Sequence, residues 1–137
     1  MRSLLLAVFI VLIAQVTVAA PIQPDIHQAM LRAWAQSDYG QTSREAGFVL
    51  DGDAQHYAIW ITPPDNRDGA LELKLYPQTF AVFHVHPDAS LPTASDADKK
   101  VANRYHVKMY TMSRSGVWLY DPATKKTAKI AGEDWLK

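Results

Sequence analysis

The run Thr79-Phe80-Ala81-Val82-Phe83-His84-Val85-His86 limits the fold more than any other stretch of the chain. It is rich in β-formers, and Pro77 and Pro87 bound it. A residue before proline is pushed toward extended geometry, which puts His86 at the end of the strand. Side chains along a strand alternate faces, so His84 and His86 point the same way. Any fold for this chain must therefore present two imidazoles side by side at one strand end.

The other elements arrange themselves around that strand. A helix is predicted from Asp25, whose carboxylate can accept from the opening N–H groups. Ile26, Met30, Ala33 and Trp34 give it one apolar face, and Ser37-Asp38-Tyr39-Gly40 ends it. Residues 44–50 read as a strand, closed by the turn Asp51-Gly52-Asp53, with residues 56–62 as the return strand. Residues 71–75 alternate apolar and charged, which fits either a short strand or a loop packing its leucines and a tyrosine. A second helix opens at Ser95-Asp96-Ala97-Asp98, with Asp98, Val101, Ala102 and Tyr105 on one face. Residues 108–113, 116–120 and 125–130 read as three more strands. Helix, strands, helix, strands is the order of an α+β layered fold, a sheet covered by helices. Trp34, Trp60, Trp118 and Trp135 are expected in packed positions. His27 is expected exposed on the first helix and His56 solvated near a strand start. His106 is expected to cap the second helix with a cationic donor.

Residues 1–20 follow a different pattern. A short positive start, Met1-Arg2-Ser3, precedes an apolar run from Leu4 to Val18 and then Ala19-Ala20. This is the order of a secretory signal peptide, and the run of about 15 residues is short of the ~20 that span a bilayer. The expected product is one domain, residues 21–137, secreted or periplasmic, without stable membrane insertion. There are no repeats, no low-complexity stretch and no long linker. Without Arg2 the balance is thirteen Lys and Arg to fourteen Asp and Glu. That leaves no basic excess for a nucleic-acid or membrane-surface partner. The chain has no cysteine, which excludes disulfides, thiolate metal sites and a cysteine nucleophile. Any metal must be held by His, Asp or Glu.

Asp98 supplies the natural third ligand to the histidine pair. It opens the helix that follows the strand, and the intervening loop can bring it near. Zinc takes imidazole nitrogen and carboxylate oxygen, and its catalytic sites keep a fourth position open. Two other accounts stand beside this one. The histidines could be polar surface. Ser95 and Asp98, three apart at a helix start, also have the spacing of a capping box, which would turn the carboxylate back onto its own backbone.

Glu45, then Phe83-His84-Val85-His86-Pro87, then Ser95-Asp96-Ala97-Asp98 resembles the signature of the JAB/MPN metalloproteases, also called JAMM. Residues 108–113 and 116–120 are also similar to the hairpin that follows the family's motif helix. The likeness spans roughly residues 25–130. It implies a mixed β-sheet flanked by helices and a Zn2+ ion on His84, His86 and Asp98. It implies Glu45 as the general base toward zinc-bound water, and Ser95 as a donor to the oxyanion. The loop of eight residues between His86 and Ser95 is one longer than is common in the family. The chain has little room for the insertions with which ubiquitin-cleaving members grip their substrate, so deubiquitination does not carry over. The implied activity is hydrolysis of a peptide or isopeptide bond in a peptide, a protein or a peptidoglycan stem. The alternative is a non-catalytic metal-binding or partner-recognition module on the same fold.

Overall fold

The computed structural model describes residues 21–62 and 71–137. The predicted signal peptide, residues 1–20, lies outside the described residues. In chain order the elements are α1 (Pro24–Gln36), a 3₁₀ turn (Asp38–Gly40), β1 (Gly47–Gly52), β2 (Tyr57–Thr62) and β3 (Thr79–Val85). There follow α2 (Asp96–Tyr105), β4 (Lys108–Ser113), β5 (Gly116–Asp121), β6 (Lys126–Ala131) and a 3₁₀ turn (Glu133–Leu136). The six strands form one sheet in the order β2-β1-β3-β4-β5-β6. Every neighbouring pair is antiparallel except β3 and β4. Parallel neighbours need a crossover, and α2 is that crossover. The fold is α+β, as the element order implies. Among the described residues no helix is long and apolar enough to cross a membrane.

Strand alternation divides the core between the two faces of the sheet. Phe48 and Leu50 of β1, Phe83 and Val85 of β3, and Met112 of β4 point to one face. There they meet Met30, Ala33 and Trp34 of α1 and Trp135 of the last turn. Phe48, Phe83 and Tyr110 are register partners on adjacent strands, so their rings stack in a row, with centroids 4.7 and 4.2 Å apart. Such aromatic pairs add about 0.5–1.5 kcal/mol each beyond their area. Val49, Val82 and Met109 point the other way, toward Ala102 of α2 and the partly buried Leu73 and Leu75.

Several local expectations need correction. Asp25 accepts from the Ile26 N–H at 2.9 Å, an opening N–H as expected, but it is not the cap of α1. Pro24 stands at the start of the helix, after Gln23, because its fixed φ suits a first helical position. Asp25 sits inside the first turn and accepts from the Tyr57 hydroxyl at 2.8 Å. β1 runs on through Gly52, so the hairpin turn falls later, where Asp53 Oδ1 accepts from the N–H groups of Gln55 and His56. Of the two readings of residues 71–75 the loop is the one observed, but Tyr76 is exposed and does not pack with the leucines. Val101 and Tyr105 are also exposed, so α2 buries Ala102 alone. Trp34 and Trp135 are core residues, but Trp60 is 60% exposed and Trp118 is half-buried beneath Lys129. His27 is half-buried, its Nε2 on the Trp135 carbonyl, because the C-terminal turn folds back over α1. His106 closes α2 through its backbone, in the left-handed region at φ 55°, and not through its ring. His56 is exposed, as expected.

Candidate metal centre

Three segments that are remote in sequence meet at the C-terminal end of β3. His84 belongs to the strand, and His86 follows it by one residue, held by its N–H to the Met112 carbonyl at 2.8 Å. Their rings lie on one face with Nε2 atoms 2.9 Å apart. Asp98 comes from the first turn of α2. Its Oδ1 lies 3.3 Å from His84 Nε2, and its Oδ2 lies 3.3 Å from His86 Nε2. Both histidines are buried and Asp98 is half-buried. Among the described residues this is the group of His, Asp and Glu side chains that could hold a metal ion.

The hydrogen bonds around the group decide what it offers. His86 Nδ1 is 2.7 Å from the Leu91 carbonyl, which can only accept. Nδ1 therefore carries the proton, and in the neutral ring the Nε2 lone pair faces His84 and Asp98. A backbone carbonyl in this position is the usual orienting partner of a ligating histidine. His84 Nδ1 is buried with no hydrogen-bond partner among the described residues. The Nε2 atoms of two imidazoles and a carboxylate thus converge on one small space, an arrangement that could hold a metal ion.

Asp98 makes the capping contacts and faces both histidines at once. The capping box is complete: Ser95 Oγ accepts from the Asp98 N–H at 3.1 Å, and Asp98 Oδ2 accepts from the Ser95 N–H at 2.7 Å. The Ser95 hydroxyl also donates to Oδ2, at 2.7 Å. The two bonds that Ser95 donates fall on Oδ2, which also faces His86, while Oδ1 is turned toward His84. A carboxylate has two oxygens with about four lone-pair sites, so one residue can serve both purposes. Burial pushes the Asp98 carboxyl up, but His84, His86 and Ser95 outweigh it and hold it well below the usual carboxylate range. Burial opposes a charge on His86, yet Asp98, the Leu91 carbonyl and Glu45 together raise it above the ordinary histidine value.

Glu45 precedes β1 by two residues. The register pairs Gly47 with His84, and the Val85 N–H bonds the Ala46 carbonyl at 2.9 Å, so Glu45 lies alongside the end of β3. It shares the wall of a cavity of about 170 Å³ with His84 and Asp98. Burial raises its carboxyl, the two histidines pull it down and Asp98 pushes it up, and the balance is a raised value. Gly47 makes the approach possible. A Cβ there would lie 2.3 Å from the Phe83 carbonyl oxygen and 3.1 Å from His84 Cβ.

The five residues singled out from the sequence thus gather at one place, with Ser95 exposed at its edge. Residues that the sequence does not flag hold the loop between them. Thr111 Oγ1 donates to the Pro92 carbonyl at 2.7 Å. Asp88 bonds the Gly40 carbonyl through its N–H and takes Arg114 at 3.0 Å, while Arg114 also reaches the Tyr39 carbonyl. Most acceptors here are backbone carbonyls, which leave no mark in a sequence.

No protein-family model, curated protein or solved structure matches this chain. Chemically, the group can bind a cation, and it sets a half-buried carboxylate beside that cation at a cavity open to a ligand.

Proposed function

We propose that the chain is a zinc-dependent peptidase or isopeptidase of the JAB/MPN type, acting on a peptide or protein outside the cytoplasm. The observation that carries this reading is Glu45 at the same cavity as His84 and Asp98. A site that only stored or bridged a metal has no use for a carboxylate beside the open position. Glu45 is also remote from the other two in sequence, and β1 and Gly47 bring it there.

The ligand set fits zinc. Bonds of about 2.0–2.1 Å in a tetrahedron separate neighbouring ligand atoms by about 3.3–3.4 Å. His84 Nε2, His86 Nε2 and one Asp98 oxygen lie within 4.8 Å of one another, so modest side-chain shifts would bring them to that spacing. Nitrogen and oxygen donors without thiolate also leave the ion Lewis-acidic. When bound, zinc polarises a carbonyl and brings the pKa of water from about 15.7 toward about 7.

The chain's own residues do the rest. Asp98 and the histidine pair would hold the ion, Leu91 fixes the His86 tautomer, and Ser95 fixes the Asp98 carboxylate. Glu45 takes the proton of the attacking water as oxygen adds to the scissile carbonyl. It then delivers that proton to the leaving nitrogen, and the C–N bond breaks to a carboxylate and an amine. The oxyanion role that the resemblance implies for Ser95 requires its hydroxyl to turn from Asp98 toward the substrate.

Metal analysis of protein purified without a chelating column tests the reading. About one zinc per wild-type chain is expected, and none in His84→Ala. Zinc should also raise the wild-type Tm and leave that of the variant unchanged, since a ligand that binds only the folded state stabilises it. Wild-type protein that takes up no zinc would sink the metalloenzyme reading and leave the fold as a binding scaffold.

A further inference from the structure

The cavity beside Glu45 has a second wall that hydrolysis does not explain. Leu71, Leu73 and Leu75 line it from the loop before β3, Val82 and Met109 from the sheet, and Val101 from α2. The loop accounts for the alternation that reads as a strand in sequence. Its odd-numbered leucines are half-buried against this cavity, while Lys74 and Tyr76 face a different hollow beside Trp60. An enclosure made so largely of aliphatic carbon serves neither metal retention nor proton transfer. It is continuous with the groups that do, since His84, Asp98 and Glu45 form its polar end.

Building on the peptidase reading, we propose that this cavity is the specificity pocket. It takes an aliphatic side chain of leucine or isoleucine size from a residue flanking the scissile bond. The volume sets the size: about 170 Å³ here, where an apolar cavity of about 150 Å³ lined by Leu, Ile and Phe takes up benzene. The lining sets the polarity. Among the described residues no Lys or Arg borders the cavity, so none of them pairs an acidic side chain there. The carboxylates Glu45 and Asp98 are confined to the polar end, where Asp98 is already engaged by the histidines and Ser95, so a cationic side chain finds apolar walls along the rest of the pocket. Val101, 38% exposed, stands at the mouth, which makes it the point of control.

The test compares four metal-chelating probes on the zinc-loaded protein by calorimetry: acetohydroxamate and the hydroxamates of N-acetyl-glycine, N-acetyl-leucine and N-acetyl-lysine. The leucine probe should bind about 10- to 200-fold more tightly than the glycine probe, the range that apolar pockets give for small side-chain differences. Val101→Trp, which fills the mouth from an exposed position, should erase that preference while zinc stoichiometry stays at the wild-type value. Equal affinity of the leucine and glycine probes on protein that holds zinc overturns the pocket and leaves the metal site standing. A lysine probe that outbinds leucine overturns it as well. Protein that holds no zinc overturns both readings together. The wild-type comparison decides the matter even if the variant fails to fold.

Discussion

On one face of the sheet, Met30, Trp34 and Trp135 come down on Phe48, Phe83 and Met112, and all six are buried. On the other face, α2 buries only Ala102, and the leucines of residues 71–75 are half-covered. The first face is continuous hydrocarbon and the second is interrupted by two imidazoles and two carboxylates. The difference separates two tasks. Apolar burial of about 25 cal/mol per Å² needs only area, so the α1 face can supply most of the stability. A site needs polar groups held at fixed distances, which a dense apolar layer would exclude. The capping box, the Leu91 carbonyl and the Thr111 hydroxyl hold the second face in place by hydrogen bonds instead.

Substitutions on the two faces should then fail in different ways. The largest expected effect is on rate. Glu45→Gln keeps size and loses the base, so hydrolysis should fall by about 10²- to 10⁴-fold, with zinc content and Tm unchanged. Wild-type turnover in that variant would remove Glu45 from the mechanism. Next comes Phe48→Ala on the α1 face, which empties the end of the Phe48–Phe83–Tyr110 stack. Urea unfolding should show a loss of about 3–5 kcal/mol, with zinc still bound at one per folded chain. Loss of zinc without loss of stability would show that the faces are not separable as described. Gly47→Ala lies between the two kinds. Its Cβ would strike the Phe83 carbonyl, so a cost of about 1–3 kcal/mol is expected, along with reduced turnover because Glu45 shifts with β1. An alanine variant of full stability and activity would mean that the strands absorb the clash.

The contrast between faces also explains what could be read from sequence. β3 was legible because two prolines fence a β-rich run, and the His84–His86 pair because alternation is a rule of strand geometry. α2 was legible from Ser95 and Asp98. Alternation along residues 71–75 was legible too, but it reports which side chains are buried and not whether the backbone pairs. That pattern fits a strand or a loop alike, and here the loop forms a cavity wall. Trp60 and His27 were misplaced for a common reason. Residue type predicts average burial, while the cover each receives depends on distant chain, the C-terminal turn for His27 and, among the described residues, none sufficient for Trp60. Asp98 reads as either a cap or a ligand because a sequence shows one residue, whereas its carboxylate takes the capping bonds on Oδ2 and faces a histidine with each oxygen.

Ser95 gives the finest division of the two tasks, and the smallest expected change in the fold. Its hydroxyl caps α2 and also bonds the Asp98 oxygen that faces His86. Alanine would remove both functions at once. Glycine is different, because it is a good N-cap residue and costs only about a few tenths of a kcal/mol there. Ser95→Gly should therefore leave Tm nearly unchanged in zinc-free protein. It still removes a group that orients a ligand, and losses of that kind weaken metal binding by about 10- to 100-fold. Competition with a zinc chelator measures the second quantity and thermal unfolding the first. If both fall together, the hydroxyl acts on the metal only by holding the helix end. If affinity drops while Tm stays, the serine positions the carboxylate directly, and the capping box is itself part of the metal site.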